Sequence, residues 1–138
     1  MKNIIVPGLA VGIVTLVVSM VFNFLINDLF PELSVEYVNS GIFRPWSDPL
    51  MQMFFAYPFI LGVILAFVWD KLKTQVKGQS VFSRGLNFGQ SYFLVATIPG
   101  MFITYTSFQV SLGLVLSWTT GGLIEGIFAG WVLAKLNK

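Results

Sequence analysis

Four runs of apolar residues, each long enough to cross a bilayer, constrain this chain more than any other feature. They cover about 4–26, 50–69, 86–105 and 110–134. A hydrocarbon core about 30 Å thick takes roughly 20 mainly apolar residues as helix. Helix is the expected form because it satisfies its own backbone hydrogen bonds where water is absent. The first run is too long for the apolar core of a signal peptide, and no small-x-small cleavage site follows it, so it reads as a retained span. Composition agrees: 56% of the residues are hydrophobic and 10% charged, against about 45–50% and about 25% in soluble domains. Ordinary soluble and disordered chains are thereby excluded. The expected fold is an all-α integral membrane protein, a four-transmembrane-helix bundle in one membrane domain over 1–138. An outer loop at 27–49 and a basic cytoplasmic loop at 70–85 complete it.

Charge sets the direction. Lys2, Lys71, Lys73, Lys77, Arg84, Lys135 and Lys138 fall on one side of a four-span chain; Arg44 alone falls on the other, with Asp28, Glu32, Glu36 and Asp48. Basic residues concentrate in cytoplasmic loops. Both termini are therefore expected in the cytoplasm, and a dual-topology protein is disfavoured. Trp69 and Trp131 near the inner boundary and Tyr105 near the outer one fit an interfacial aromatic belt; Trp118 fits less well.

A weak internal repeat runs through the spans. Gly8-Leu9-Ala10-Val11-Gly12 opens the first, and Gly85-Leu86-Asn87-Phe88-Gly89 the third. At an offset of 64, Gly62 meets Gly126, Val68 meets Val132, and Lys71-Leu72 meets Lys135-Leu136. Two duplicated helical hairpins would point the same way, related by a pseudo-twofold axis along the membrane normal. Small residues form seams at spacings of three and four: Gly8, Gly12, Thr15, Ser19 and Asn23 in the first span; Gly85, Gly89, Ala96, Gly100 and Thr104 in the third; Gly122, Gly126 and Gly130 in the fourth. Lipid offers helices no hydrophobic drive to associate, so close approach through small residues supplies it. These seams serve packing within the chain, and one is a candidate homo-oligomer interface. Pro99-Gly100 is expected to kink the third span.

Glu125 is the one ionisable residue well inside a span. It lies about nine residues from the inner end, roughly 14 Å deep at 1.5 Å per residue. A charge there is costly, so the group is either neutral or met by polar partners or water. Tyr92, Gln90, Thr15 and Asn23 are the candidate partners of a polar intramembrane binding site. At the 64-residue offset its counterpart is Leu61, so the acid is not repeated. The structural alternative is a hydrogen-bonded acid that ties two helices.

The outer loop is long, and Pro31 is suited to opening a short helix on the membrane surface. Arg44 and Asp48 are placed to pair and order the segment around Trp46, Pro45 and Pro49. That loop reads as a cap on the bundle or as a lid or docking surface. The chain has no cysteine and no histidine, which removes thiol chemistry and the commonest metal ligand and general base. No cofactor, metal or nucleic-acid partner is expected, and an enzyme is the less favoured reading.

Arg84-Gly85-Leu86-x-Phe88-Gly89, followed by Gly122-x-x-Glu125-Gly126-x-x-x-Gly130, resembles small four-span prokaryotic membrane proteins of unassigned function. The resemblance implies the fold and a prokaryotic inner membrane, and no activity. Small multidrug-resistance transporters also have four spans and one embedded glutamate, but theirs lies in the first span and their loops are shorter. Two functions follow as expectations. One is a small binding or transport unit built on Glu125. The other is an accessory or assembly subunit that packs against itself or a larger membrane protein through its glycine seams and outer loop.

Overall fold

The computed structural model describes residues 2–137. The described residues form helices and no strand: α1 (Lys2–Leu29), α2 (Pro31–Asn39), α3 (Pro49–Gln52), α4 (Tyr57–Leu72), α5 (Val81–Tyr92), α6 (Ile98–Ser107) and α7 (Leu112–Leu136). A 3-10 turn, Met53–Ala56, joins α3 to α4, and a π turn, Phe93–Thr97, joins α5 to α6. Three helices, Lys2–Leu29, Pro49–Leu72 and Leu112–Leu136, are long and apolar enough to cross a membrane. The third expected run is divided instead. Pro99 has no N–H to return to the preceding turn, and the backbone widens just before it, so that the Ile98 N–H reaches back five residues to the Phe93 carbonyl.

Two antiparallel pairs make up the molecule, α1 with α4 and α5 with α7, and α1 also packs on α7. Glycines set both crossings. Gly8 faces Val63 and Gly12 faces Phe59; Gly85 faces Trp131, and Gly89 faces the Gly126 carbonyl and Ile127. A side chain on Gly62 would run into the Gly8 carbonyl and the Gly12 amide, and one on Gly130 into the Gly85 carbonyl and the Gly89 amide. The contact geometry therefore matches Gly62 with Gly130, an offset of 68. That is one helical turn beyond the 64 read from the sequence, where Gly62 was aligned with Gly126. The glycine repeat of α7 is itself the source of the ambiguity, because a four-residue slip places one glycine on another. At the offset of 68, Leu65 and Ala66 correspond to Leu133 and Ala134, and all four are buried.

The π turn also changes which residues of the third run face α7. Gly85 and Gly89 meet α7 as expected, but a side chain on Gly100 would meet nothing within 4 Å, and Ala96 is exposed. Thr97 packs on Gly122 in place of Ala96. One extra residue in the turn moves the facing position on by one, so the expected stripe through Ala96, Gly100 and Thr104 is not continuous. Gly122, Gly126 and Gly130 all face the α5–α6 run, as their spacing predicts.

Burial is uneven along the helices. The fully buried residues of α1 end at Thr15, those of α4 begin at Pro58, and those of the α5–α6 run end at Gly89. Lys2, Lys71, Lys73, Lys77, Arg84 and Lys135 all lie toward the same end, here the basic end, where the core is dense. Trp69 there is 0% exposed, so it belongs to the core and not to an interfacial belt. Its indole N–H donates to the Asn137 carbonyl at 2.6 Å. Phe88 meets it edge-on at 5.2 Å, and the Arg84 guanidinium lies 5.4 Å from its ring. Asn137 also binds the Asn3 carbonyl at 2.9 Å and accepts from Lys73 at 2.7 Å, which ties the start of α1, the end of α4 and the end of α7 together.

At the opposite end the outer loop folds over α7. Pro31 opens α2, as its position predicts. The Ser111 N–H donates to Glu36 at 2.6 Å, just ahead of α7, and Leu33 covers Gly113. Gly41, with φ +67°, supplies a backbone conformation that other residues seldom adopt. Phe43 stacks on Tyr37 at 4.4 Å, and both meet the Trp118 ring edge-on. Trp118 is thus the floor of a cap, which accounts for its poor fit to an aromatic belt.

Candidate functional site

Glu125 lies near the middle of α7, one residue before Gly126 and four beyond Gly121. Both glycines are buried, Gly126 against Gly89 and Tyr92 of α5, and Gly121 against Phe22 of α1. The two contacts bring α1 and α5 to either side of the carboxyl. The Ser19 hydroxyl of α1 lies beside it. The Tyr92 phenol of α5 lies within electrostatic reach, and the Tyr57 hydroxyl of α4 faces that of Tyr92. Ser19 and Tyr92 thus flank the carboxyl from α1 and α5, and Tyr57 of α4 lies beyond Tyr92. Glu125, Ser19 and Tyr92 are partly buried, whereas Tyr57 is 51% exposed.

The carboxyl also lies where the two helix pairs correspond. At the offset of 68 the counterpart of Glu125 is Tyr57, not Leu61. Tyr92 corresponds to Thr15, as Gly85 and Gly89 do to Gly8 and Gly12, at 77. The matching positions of the two pairs thus hold Thr15 and Tyr57 in one, and Tyr92 and Glu125 in the other.

Of the sequence candidates, Tyr92 joins Glu125. Thr15 is buried at the same level, but its hydroxyl donates to the Val11 carbonyl of its own helix at 2.8 Å. Asn23 is exposed one turn beyond Ser19 and donates to the Ser19 carbonyl at 2.9 Å. Gln90 is exposed. The sequence reading placed Ser19 on the same stripe without giving it a role, and did not single out Tyr57. The helical spacing Gly12, Thr15, Ser19 was the signal for the first. Only the offset of 68 in the glycine contacts marks the second.

In the outer loop, Arg44 and Asp48 pair at 2.7 Å. Asp48 also caps α3 by accepting from the Leu50 N–H at 2.8 Å. The Arg44 side-chain contact and that backbone N–H hold the Asp48 carboxyl below its ordinary range. Trp46 packs beside Phe54 and Phe55, 6.1 Å from each. These residues order the lead-in to α3 and α4 and lie apart from Glu125 in the fold.

Two open hollows lie away from the carboxyl. One is lined by Lys2, Asn3, Val6, Pro7 and Leu136 at the basic end, the other by Phe82, Ile127, Phe128 and Trp131. Comparison with known protein families, curated proteins and solved structures finds no match for this chain.

Proposed function

We propose that this chain is a multi-pass protein of a prokaryotic cytoplasmic membrane and a small binding or transport unit whose working group is Glu125. In this reading the α5–α6 run crosses as a fourth span through its π turn. The basic end faces the cytoplasm, as the excess of lysine there favours. The two helix pairs descend from one duplicated hairpin, and their shared glycine crossing supports that. Parallel repeats of this kind place binding sites near the midplane where the halves meet. The observation that carries the reading is the placement of Ser19 and Tyr92 about Glu125, with Glu125 and Tyr57 at matching positions of the two pairs. An intramembrane carboxyl facing polar groups from other helices is by default a functional site. The π turn beside Tyr92 and Thr97 adds weight, since such turns recur at functional sites.

The test is proton flux into proteoliposomes under an imposed membrane potential, read by a trapped pH dye. Wild type should pass or exchange protons above the protein-free rate. Glu125→Gln should lower flux to that rate with unchanged thermal stability, because an amide keeps the shape and cannot titrate. Equal flux from both proteins would make Glu125 a structural acid. The second reading, an accessory or assembly subunit, draws on the unpartnered face of α6 around Gly100. Native mass spectrometry in detergent would favour it by finding a defined oligomer that Gly100→Leu dissociates.

A further inference from the structure

We propose that the basic end of this protein holds an anionic phospholipid, with an acyl chain in a hollow between α5 and α7 and the headgroup phosphate on Lys135. The inference rests on α7 crossing the membrane and not on any role of Glu125. The Ser80 hydroxyl accepts from the Ser83 N–H at 3.1 Å and fixes the start of α5. Further along α5, Gly85 lies against the Trp131 backbone of α7. That close crossing brings Phe82 beside Ile127, Phe128 and Trp131, and these four side chains line the hollow. Phe82, Phe128 and Trp131 are exposed on the outside of the bundle. None of the four carries a charge, so the hollow suits a methylene chain and offers a hydrated ion nothing.

Charge sets the other half of the ligand. Trp131 lies about five residues before the end of α7, roughly 7 Å at 1.5 Å per residue, a depth at which tryptophan meets lipid headgroups. Trp69, the other tryptophan of that end, is buried in the core. The Lys135 ammonium lies over the Trp131 ring, 5.3 Å from its centroid, and the attraction of cation for ring holds the charge at the rim of the hollow. Lys135 is itself exposed. Among the described residues Asp70 is the one acidic side chain at the basic end, and it lies 3.2 Å from Lys73. The ammonium of Lys135 is therefore open to an anion from outside the chain. A cation at headgroup level above an apolar hollow is complementary to a negatively charged head on an acyl chain. Lys71 supplies the comparison. It lies over Phe67 in the same way, at 5.7 Å, but Phe67 lines neither hollow.

The experiment uses the full chain in phosphatidylcholine proteoliposomes that contain a small fraction of dibrominated phosphatidylglycerol or, in parallel, of dibrominated phosphatidylcholine. Bromine on an acyl chain quenches a tryptophan in contact with it. The Trp131 signal is the part of the emission that Trp131→Phe removes. Brominated phosphatidylglycerol should quench it at a mole fraction about five-fold lower than brominated phosphatidylcholine, the effect of one lysine near an anionic surface. Lys135→Gln should abolish that preference, and Lys71→Gln, which removes the same charge elsewhere, should keep it. Equal quenching by the two lipids in wild type would make the contact ordinary solvation by lipid and overturn the proposal. Equal loss from the two lysine variants would reduce it to diffuse surface charge and overturn the built site. Millimolar inorganic phosphate should leave the preference unchanged; its disappearance there would mean that Lys135 takes free phosphate and not a lipid.

Discussion

A carboxyl in the middle of an apolar helix persists where other helices bring it polar company, and here Ser19 and Tyr92 do so. Whether a polar side chain in an apolar helix is available for such company depends on where its hydrogen bonds already go. Thr15 sits at the right level, but its hydroxyl returns to its own helix, as threonine commonly does in helices. Asp48 shows the same accounting outside the helices. Its carboxyl accepts from Arg44 and from the Leu50 N–H, and these contacts lower its proton affinity. A group whose folded value is depressed contributes stability above its ordinary range and loses it only as pH falls through the lowered value. The segment 41–48 should therefore keep its protection from amide exchange as pH falls through about 4, the unperturbed carboxylate range, and lose it below. Asp48→Asn should exchange faster at every pH. Loss of protection in wild type already near the middle of the mildly acidic range would contradict the assignment. The Arg44–Asp48 pair was legible from spacing alone because it is local. Tyr57 was not, since it reaches the site through a correspondence between distant helices.

Among the helices, register decides what the glycines do. Gly130 meets backbone on α5, whereas Gly100, on the same stripe by sequence spacing as Gly85 and Gly89, faces nothing. Gly130→Ala should push α5 from α7, because the added methyl meets a carbonyl oxygen that cannot rotate away. Overpacking of this sort costs about 1–3 kcal/mol. Gly100→Ala adds a methyl in open space and should be neutral or slightly stabilising, since alanine suits helix better by up to about 1 kcal/mol. Thermal unfolding of the two variants in one detergent measures the difference; equal midpoints would mean that α5 and α7 are not packed as described. The long apolar helices, the start of α2 at Pro31 and the α7 glycine face were readable from period and composition. The π turn was not. Proline marks a disturbed backbone, but a kink, a break and a one-residue widening share that signal. Only the last moves every later residue of the run onto a new face.

For the whole molecule, α1 alone spans 28 residues, about 40 Å at 1.5 Å per residue. The cap formed by α2 and the basic cluster around Trp69 therefore lie at opposite ends of a body long enough to cross a bilayer. Between them the surface is apolar: Ile13, Val17, Ile60, Ile64, Leu94 and Phe102 are all exposed, as suits a surface bathed in lipid and not in water. The number of crossings fixes which loops share a side. With four, the turn after α4 lies with the two chain ends, and the loop after α2 lies opposite. With three, the α5–α6 run stays on one side, and α7 must start and finish on the other sides from those assigned here. Asn39 and Gln75 are exposed and outside the long helices, so single cysteines there report the difference without disturbing packing. In intact cells a membrane-impermeant maleimide should label Asn39→Cys at once and Gln75→Cys only after the membrane is opened. A third cysteine at Phe108, the exposed residue after α6, separates the two counts. With four crossings it labels with Asn39, because the α5–α6 run has carried the chain back across. With three it labels with Gln75. The second result would remove the α5–α6 run from the membrane and the polar site between the two helix pairs with it.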